Sequence, residues 1–435
     1  MRRSVAVVGS VLFLALGAVV LAQAPKAETK PAASAAKPAA ADRHDAQKKA
    51  RDRSASAVRR GDFQAALEAA NEAVELDPTD AESHVARAIL LQQLHGAGTS
   101  EEMNRRMEQL LREDYRTAAE GDPDSTVAAV ARDALAQVEG RQLFPDQDSG
   151  CSKEASAELD TAEHLFLTNH LKDSLAHYEK AAQGCPEDPV VWTHYGDAYF
   201  ALDDLTQAQS RFEKALAKSP WHAQGHRFLA DTLVRQGKFE AAYHESVLAV
   251  LSDPSYEAGW GGLRAYVAAR GGTWNRAYGA KPEIKVKPLG KVDVNIDAKG
   301  PDPAEWTFYA MAKASFLVPA KKHAPPPPKT ALGRERGALQ SVLQIRKELK
   351  ASGKPPAPSR FWDMMTRADQ AGFLDEAIFL HLLDRDLLPE YLAFRDKNRD
   401  RLVRYTETVL APLPPPRSAP AMPATPPAPP TPPGS

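Results

Sequence analysis

The 435-residue chain contains only two cysteines, Cys151 and Cys185. Two thiols cannot frame a disulfide-dense small domain or a zinc ribbon. Neither charge is in excess: 55 Lys and Arg face 57 Asp and Glu, a net charge of −2. That balance removes the basic footprint of a dedicated nucleic-acid binder. Catalytic signatures are missing as well. There is no Gly-x-Ser-x-Gly elbow, no Gly-x-x-x-x-Gly-Lys phosphate loop and no Cys-x-x-Cys pair. His244-Glu245-Ser246 opens like a zinc-protease helix, but Leu248 stands where the second His is needed. Gly259, Gly261 and Gly262 follow no strand pattern, which excludes a dinucleotide loop. His222 and His226 share a helix face without a third ligand, and paired acids such as Asp203-Asp204 belong to turns. Neither a catalytic set, a metal site nor a cofactor is expected. What is present is alanine in helix-forming runs, and 35 prolines of which 12 fall in the last 25 residues.

One apolar run stands apart. Arg2 and Arg3 precede an uncharged stretch of 17 residues, Val5 to Leu21, followed by Ala22-Gln23-Ala24. A basic start, an apolar core and a small-x-small site read as a secretory signal peptide (1–24), cut after Ala24. The alternative is an uncleaved anchor, since the run falls at the short end of a spanning helix. Membrane contact is expected only in that case. Export would place the protein in the periplasm or envelope of a bacterium, where disulfides persist. Residues 25–44, rich in Ala, Pro and Lys, read as a disordered linker, and 411–435 as a disordered Pro-rich tail.

Between these ends runs a repeat. Pro186, Pro220 and Pro254 are 34 residues apart. Before Pro220 lie Trp192, Tyr195, Gly196, Tyr199, Ala208, Phe212 and Ala215; before Pro254 lie His226, Leu229, Ala230, Leu233, Gly237, Phe239, Ala242 and Ala249. Thr161, Ala162, Leu165, Leu171, Tyr178 and Ala181 form a weaker copy before Pro186. This pattern resembles the tetratricopeptide repeat, an antiparallel helix pair that buries its apolar face by stacking on neighbours. The resemblance implies an all-α fold: a solenoid over 151–270, closed by a capping helix from Tyr256 to Arg270. Degenerate repeat-like helices are expected over 45–140, where Gly61, Phe63, Ala66, Ala73 and Pro78 match half a unit. Helices break at Gly96–Ser100 and Gly121–Pro123, with a long helix between. Cys151 and Cys185 fall at neighbouring ends of one such hairpin, which makes a disulfide between them plausible.

Residues 271–410 read as a mostly helical C-terminal module with a short β-hairpin. Alternation at Ile284, Val286, Val292, Val294 and Ile296 around Pro288-Leu289-Gly290 marks the hairpin over 282–297. Helices follow from Pro303 to Leu317 and from Leu332 to Ala351. Phe361, Met364, Met365, Gly372, Leu374, Ala377 and Pro389 suggest one more degenerate repeat.

The resemblance implies a concave wall made by the first helices, and this is the expected partner-binding groove. Its candidate residues are Glu163, Phe166, Thr193, Asp197, Phe200, Gln224, Arg227, Asp231 and Arg235. The lysine and asparagine clamp that some such domains use on C-terminal carboxylates is not matched. A mixed charged and aromatic wall suits an extended peptide or a helix of a protein partner. The expectation is an exported, non-catalytic scaffold or adaptor. The alternatives are an accessory subunit of an envelope assembly or polymer-export machine, or an enzyme with its site in the C-terminal module. An enzyme predicts a cleft of converging polar side chains in 271–410; a scaffold predicts its largest groove along 155–256.

Overall fold

The computed structural model describes residues 40–94, 101–120, 125–139, 143–144, 151–279, 281–287, 291–298, 301–318 and 326–414. The expected signal peptide, most of the linker (25–39) and of the tail (415–435), the breaks at Gly96–Ser100 and Gly121–Pro123, and the hairpin turn 288–290 lie outside them. Among the described residues the protein is helical apart from one two-stranded sheet. Helices α1 (Ala40–Arg59), α2 (Phe63–Leu76), α3 (Ala81–Leu94), α4 (Glu101–Ala119) and α5 (Thr126–Val138) form an N-terminal unit. The main array follows as α6 (Lys153–Leu167), α7 (Leu171–Gly184), α8 (Pro189–Ala201), α9 (Leu205–Lys218), α10 (Ala223–Arg235), α11 (Phe239–Ser252) and α12 (Glu257–Ala269). Strands β1 (Glu283–Val286) and β2 (Val292–Asn295) come next, then α13 (Pro303–Leu317), α14 (Ala331–Ala351), α15 (Arg360–Gln370), α16 (Leu374–Leu382), α17 (Leu388–Lys397) and α18 (Arg399–Tyr405).

Three local devices make the helix pairs. Among the described residues, five pair turns close on a residue of left-handed φ: Gly61, Asn169, Asp203, Gly237 and Gly372, at +64° to +75°. The next N–H then returns to a carbonyl five residues back, as in His170 to Leu165 (2.8 Å), Asp204 to Tyr199 (3.0 Å) and Lys238 to Leu233 (2.9 Å). Glycine, asparagine and aspartate are the residues that tolerate this backbone. Aspartate and serine then cap several helices, Asp188 accepting from Val190 N and Asp204 from Gln207 N. At the other junction a side-chain N–H reaches back to the proline carbonyl six residues earlier. Trp192 donates to Pro186 (2.9 Å) and Trp260 to Pro254 (2.9 Å), and His226 pairs with Pro220 (3.0 Å). His84 does the same with Pro78 (2.9 Å), so the N-terminal unit uses the repeat's own junction.

Small residues let the pairs close. A Cβ on Gly196 would lie 2.6 Å from the Phe212 ring, and Ala208 and Ala242 are wholly buried. Phe212 in turn stacks on Phe228 of the next pair at 5.7 Å. Cys151 and Cys185 form a disulfide with Cα atoms 5.2 Å apart, tying the start of α6 to the end of α7.

Helix α12 ends the repeat series but not the core. One apolar cluster runs from Ala208 through Trp260, Leu263 and Val267 to Trp306, Trp362, Phe379 and Leu410. The seam is also hydrogen-bonded. Tyr243 donates to Ala411 O (2.8 Å), Arg395 to Ser252 O (2.7 Å), and the Asn275 N–H to Leu410 O (2.8 Å). The hairpin pairs Glu283 with Asn295 and Val286 with Val292, and leaves Val286 and Val294 exposed. Two expected boundaries are corrected. Helix α1 begins at Ala40, so the last five residues of the expected 25–44 linker are helical, as their Ala-rich sequence allows. Residues 411–414, expected as tail, are held on the array: Ala411 is fully buried, and Pro412 O accepts from Thr273 N at 2.9 Å.

The disulfide yields a quantitative expectation. Closing a segment of 34 residues is worth between about 3 and 4 kcal/mol in the chain-entropy account. Urea unfolding of the Cys151→Ser, Cys185→Ser double variant should show a loss of that order. An unchanged free energy would mean that the bridge does not constrain the unfolded chain.

Candidate functional site: the concave wall

The first helices α6, α8 and α10 stack side by side, and positions 34 residues apart in sequence fall on the same face. One such series is acidic: Glu163, Asp197, Asp231. The three carboxylates have unequal partners. Glu163 is buried and accepts from the Tyr178 hydroxyl (2.6 Å) and from His194 Nδ1 (2.7 Å). Asp231 is half-exposed and lies 3.6 Å from the Arg227 guanidinium. Asp197, only 2% exposed, has no hydrogen-bond donor on either oxygen. Burial therefore pushes its carboxyl well above the usual carboxylate range, against the pull of His194 and Arg227.

The remaining candidates surround this series. Thr193 is buried, donates to Pro189 O (2.8 Å) and meets His222 Nε2 at 3.0 Å. Burial drives the His222 imidazole down to about 3, so it is neutral there. Gln224 is partly exposed, and its Oε1 is buried without a donor. Arg227 lies over the Phe228 ring (4.6 Å) and reaches the Tyr256 hydroxyl (3.4 Å). Arg235 covers the Phe200 ring (4.5 Å), bonds Phe200 O (3.1 Å) and pairs with Asp203. Phe166 is packed in the core of the first pair with Tyr178 and Tyr195. The nine residues thus divide. Glu163, Phe166 and Thr193 are consumed by the fold; Phe200, Gln224, Arg227, Asp231 and Arg235 keep accessible surface; Asp197 is buried but unsatisfied.

A contact between distant segments frames the wall. Both carboxylate oxygens of Asp133, on α5, accept the first N–H groups of α12, Glu257 at 2.7 Å and Ala258 at 2.8 Å. Glu257 also holds Arg276 through both oxygens (2.7 and 2.9 Å), and Arg276 lies over Trp260 at 4.1 Å. At the other end Phe63 of α2 meets His164 of α6, ring centroids 6.1 Å apart, and Gly61 abuts Thr168. The N-terminal unit therefore touches the array at its first and last helices, and α8 and α10 lie between those contacts. Nothing local in the sequence signals Asp133 as a cap for a helix 124 residues later.

Two cavities among the described residues lie elsewhere. One of about 410 Å³ is lined by Glu283, Lys285 and the residues of β2. The other, about 270 Å³, gathers Lys281, Lys313, Arg334, Glu335 and Asp384. Four of its charges are paired. Lys281 bonds Asp384 (2.6 Å) and Glu335 (2.8 Å), while Glu335 also takes Lys313 and the Tyr309 hydroxyl. Among the described residues no group of three or more His, Cys, Asp or Glu is placed to hold a metal, and no helix is long and apolar enough to cross a membrane.

Helix pairs turning on a left-handed residue and stacked in register define an α-solenoid. Residues 199–265 match the family model for the tetratricopeptide repeat, and over these residues the chain carries that repeat. No curated protein matches the chain. Solved structures similar to it include MamA from Desulfovibrio magneticus RS-1, at 18% identity over 48% of this chain and 97% of that one, TM-score 0.24. A thermophilic repeat protein of Thermus thermophilus is 15% identical over 51% and 99%, TM-score 0.23. The TPR2AB domain of yeast Sti1 in its pHSP90 complex is 14% identical over 51% and 96%, TM-score 0.25. Scores this low carry no functional argument.

The wall carries one titration to test. Burial opposes a charge on His194, but Glu163, with Asp197 and Asp188 behind it, outweighs burial and raises the imidazole above its ordinary 6.5. A raised histidine contributes stability that is complete below about 6.5 and is lost as pH rises through the folded value. Urea midpoints should fall across that window more steeply in the native chain than in His194→Gln. Equal slopes would mean that the pair is neutral throughout.

Proposed function

We propose that the protein is an exported, non-catalytic scaffold whose concave first-helix wall holds a segment of a partner protein. The observation that carries this reading is the wall itself. Gln224, Arg227, Asp231, Arg235 and Phe200 keep accessible surface on the faces of adjacent repeats, bounded by the N-terminal unit. Protein–protein interaction is the role the repeat supports. A catalytic role would start from the 270 Å³ cleft, where Lys281 and Lys313 are paired with Glu335 and Asp384. Export rests on the basic start, the apolar run and Ala22-Gln23-Ala24.

Crosslinking and affinity capture from the native envelope tests the scaffold, beside a variant with Phe200, Arg227 and Arg235 changed to Ala. A defined partner lost in the variant is the expected result. Retention of the same partner would move the interaction off this wall. Export is tested by sequencing the N-terminus of the purified protein, which should begin at Pro25; a chain beginning at Met1 would overturn cleavage.

A further inference from the structure

The hairpin of the C-terminal module ends in an open edge. Lys287 N donates to Lys291 O at 2.7 Å, and the register pairs Lys285 with Asp293 and Glu283 with Asn295. In an antiparallel ladder hydrogen-bonded and non-hydrogen-bonded pairs alternate, so Lys291, Asp293 and Asn295 turn their N–H and C=O groups to β1. Val292 and Val294 therefore turn theirs outward, and the same alternation, continued one step, sets those of Ile296 beside them. Among the described residues no further strand takes up this edge. Residues 291–297 are all exposed or half-buried. The outer edge of β1 is different. Pro282 there is buried and has no N–H to offer, and Pro282 and Ile284 share a cleft with Lys313 and Leu317 of α13. One edge is blunted and the other is not.

The open strand is complementary to itself. From 291 to 297 it reads Lys-Val-Asp-Val-Asn-Ile-Asp. Two copies run antiparallel about Val294 place Val294 opposite itself, Val292 opposite Ile296, Asp293 opposite Asn295 and Lys291 opposite Asp297. The outward groups of 292, 294 and 296 then meet one another, as hydrogen-bonded pairs require. Moving the centre to 293 or 295 keeps that match but sets Asp293 against itself or against Asp297, and like charges directly opposite destabilise a sheet. Centres at 292 or 296 leave only three residues of the segment 291–297 opposite one another. The apolar face continues across the junction as well. Ile284, Val286, Val292, Val294 and Ile296 share one side of the hairpin, with Val286 and Val294 exposed. Two strands alone are marginal, whereas three or more with an apolar face can stand.

We propose that β2 is a dimerisation edge: two copies of this chain join antiparallel through residues 291–297, centred on Val294, into one four-stranded sheet. The pairing is isologous, each copy giving the same strand, so it closes as a two-fold dimer. With β1 blunted, neither copy keeps an open edge for a third chain. Lys291 of each copy faces Asp297 of the other, and this charge pattern is what selects a second copy over an unrelated strand. None of these residues belongs to the concave wall, so a dimer carries two walls.

Sedimentation velocity of the full chain from about 1 μM to about 1 mM tests the edge. The native chain should pass from monomer to dimer and stop there. Val294→Pro removes the central outward N–H but no bond of the hairpin, and should stay monomeric. Register is tested by charge. Lys291→Asp and Asp297→Lys each set like charges opposite at two places, and alone each should dimerise about tenfold more weakly. Mixed in equal amounts they should recover, because the mixed dimer restores opposite charges at both places. A native chain that is monomeric throughout, or a dimer that survives Val294→Pro, would overturn the edge. Assemblies larger than a dimer would overturn its closure. Charge variants that dimerise as tightly as the native chain, or that fail to recover on mixing, would overturn the register. Should Val294→Pro misfold, as circular dichroism would show, the charge variants and their mixture decide alone.

Discussion

A pair of helices 13 or 14 residues long cannot bury its apolar stripe by itself. Everything else in this molecule follows from that deficit. Each pair borrows the face of the next, and close approach then requires something small at the crossing. Gly196 against Phe212 is one such crossing, where even a methyl group would collide. Turn chemistry serves the same end, since a left-handed residue at 169, 203 and 237 returns the chain at one fixed angle. The last pair still has an unsatisfied face, and the C-terminal helices cover it, which is why the core passes without interruption from Leu251 to Leu410.

Stacking for apolar reasons also aligns polar residues that had no part in the packing. A 34-residue period places any residue type in a row, and the row at 163, 197 and 231 is acidic. Its members meet different fates because their neighbours differ. Glu163 faces Tyr178 and His194, Asp231 faces Arg227, and Asp197 between them receives nothing. A repeat protein can carry such an unsatisfied group because the stack's apolar contacts exceed what one desolvated carboxylate costs.

Legibility followed sequence separation. The period, the prolines, the turn residues and the apolar stripes are local signals, and they gave the helix pairs and the class of fold. Alternation around residues 284–296 gave the hairpin for the same reason. The groove residues could be named from repeat position, but their burial could not. Nothing in the sequence says that Thr193 is enclosed by His222, or that Arg235 is drawn down onto Phe200. Contacts between Asp133 and α12, or between Tyr243 and Ala411, join residues more than a hundred positions apart. They depend on how whole units dock, which no window of sequence contains. The linker and tail boundaries were misplaced for a related reason: composition locates a Pro-rich segment, but not the residue at which packing releases it.

The docking of the N-terminal unit bears on how the wall would work. A solenoid attached only through its neighbours flexes along its length, and a groove that flexes loses binding free energy to ordering. Here α5 grips the first turn of α12 through Asp133, while the turn after α1 rests on the end of α6. Ends tied in this way fix the distance from first helix to last, and with it the spacing of α8 and α10.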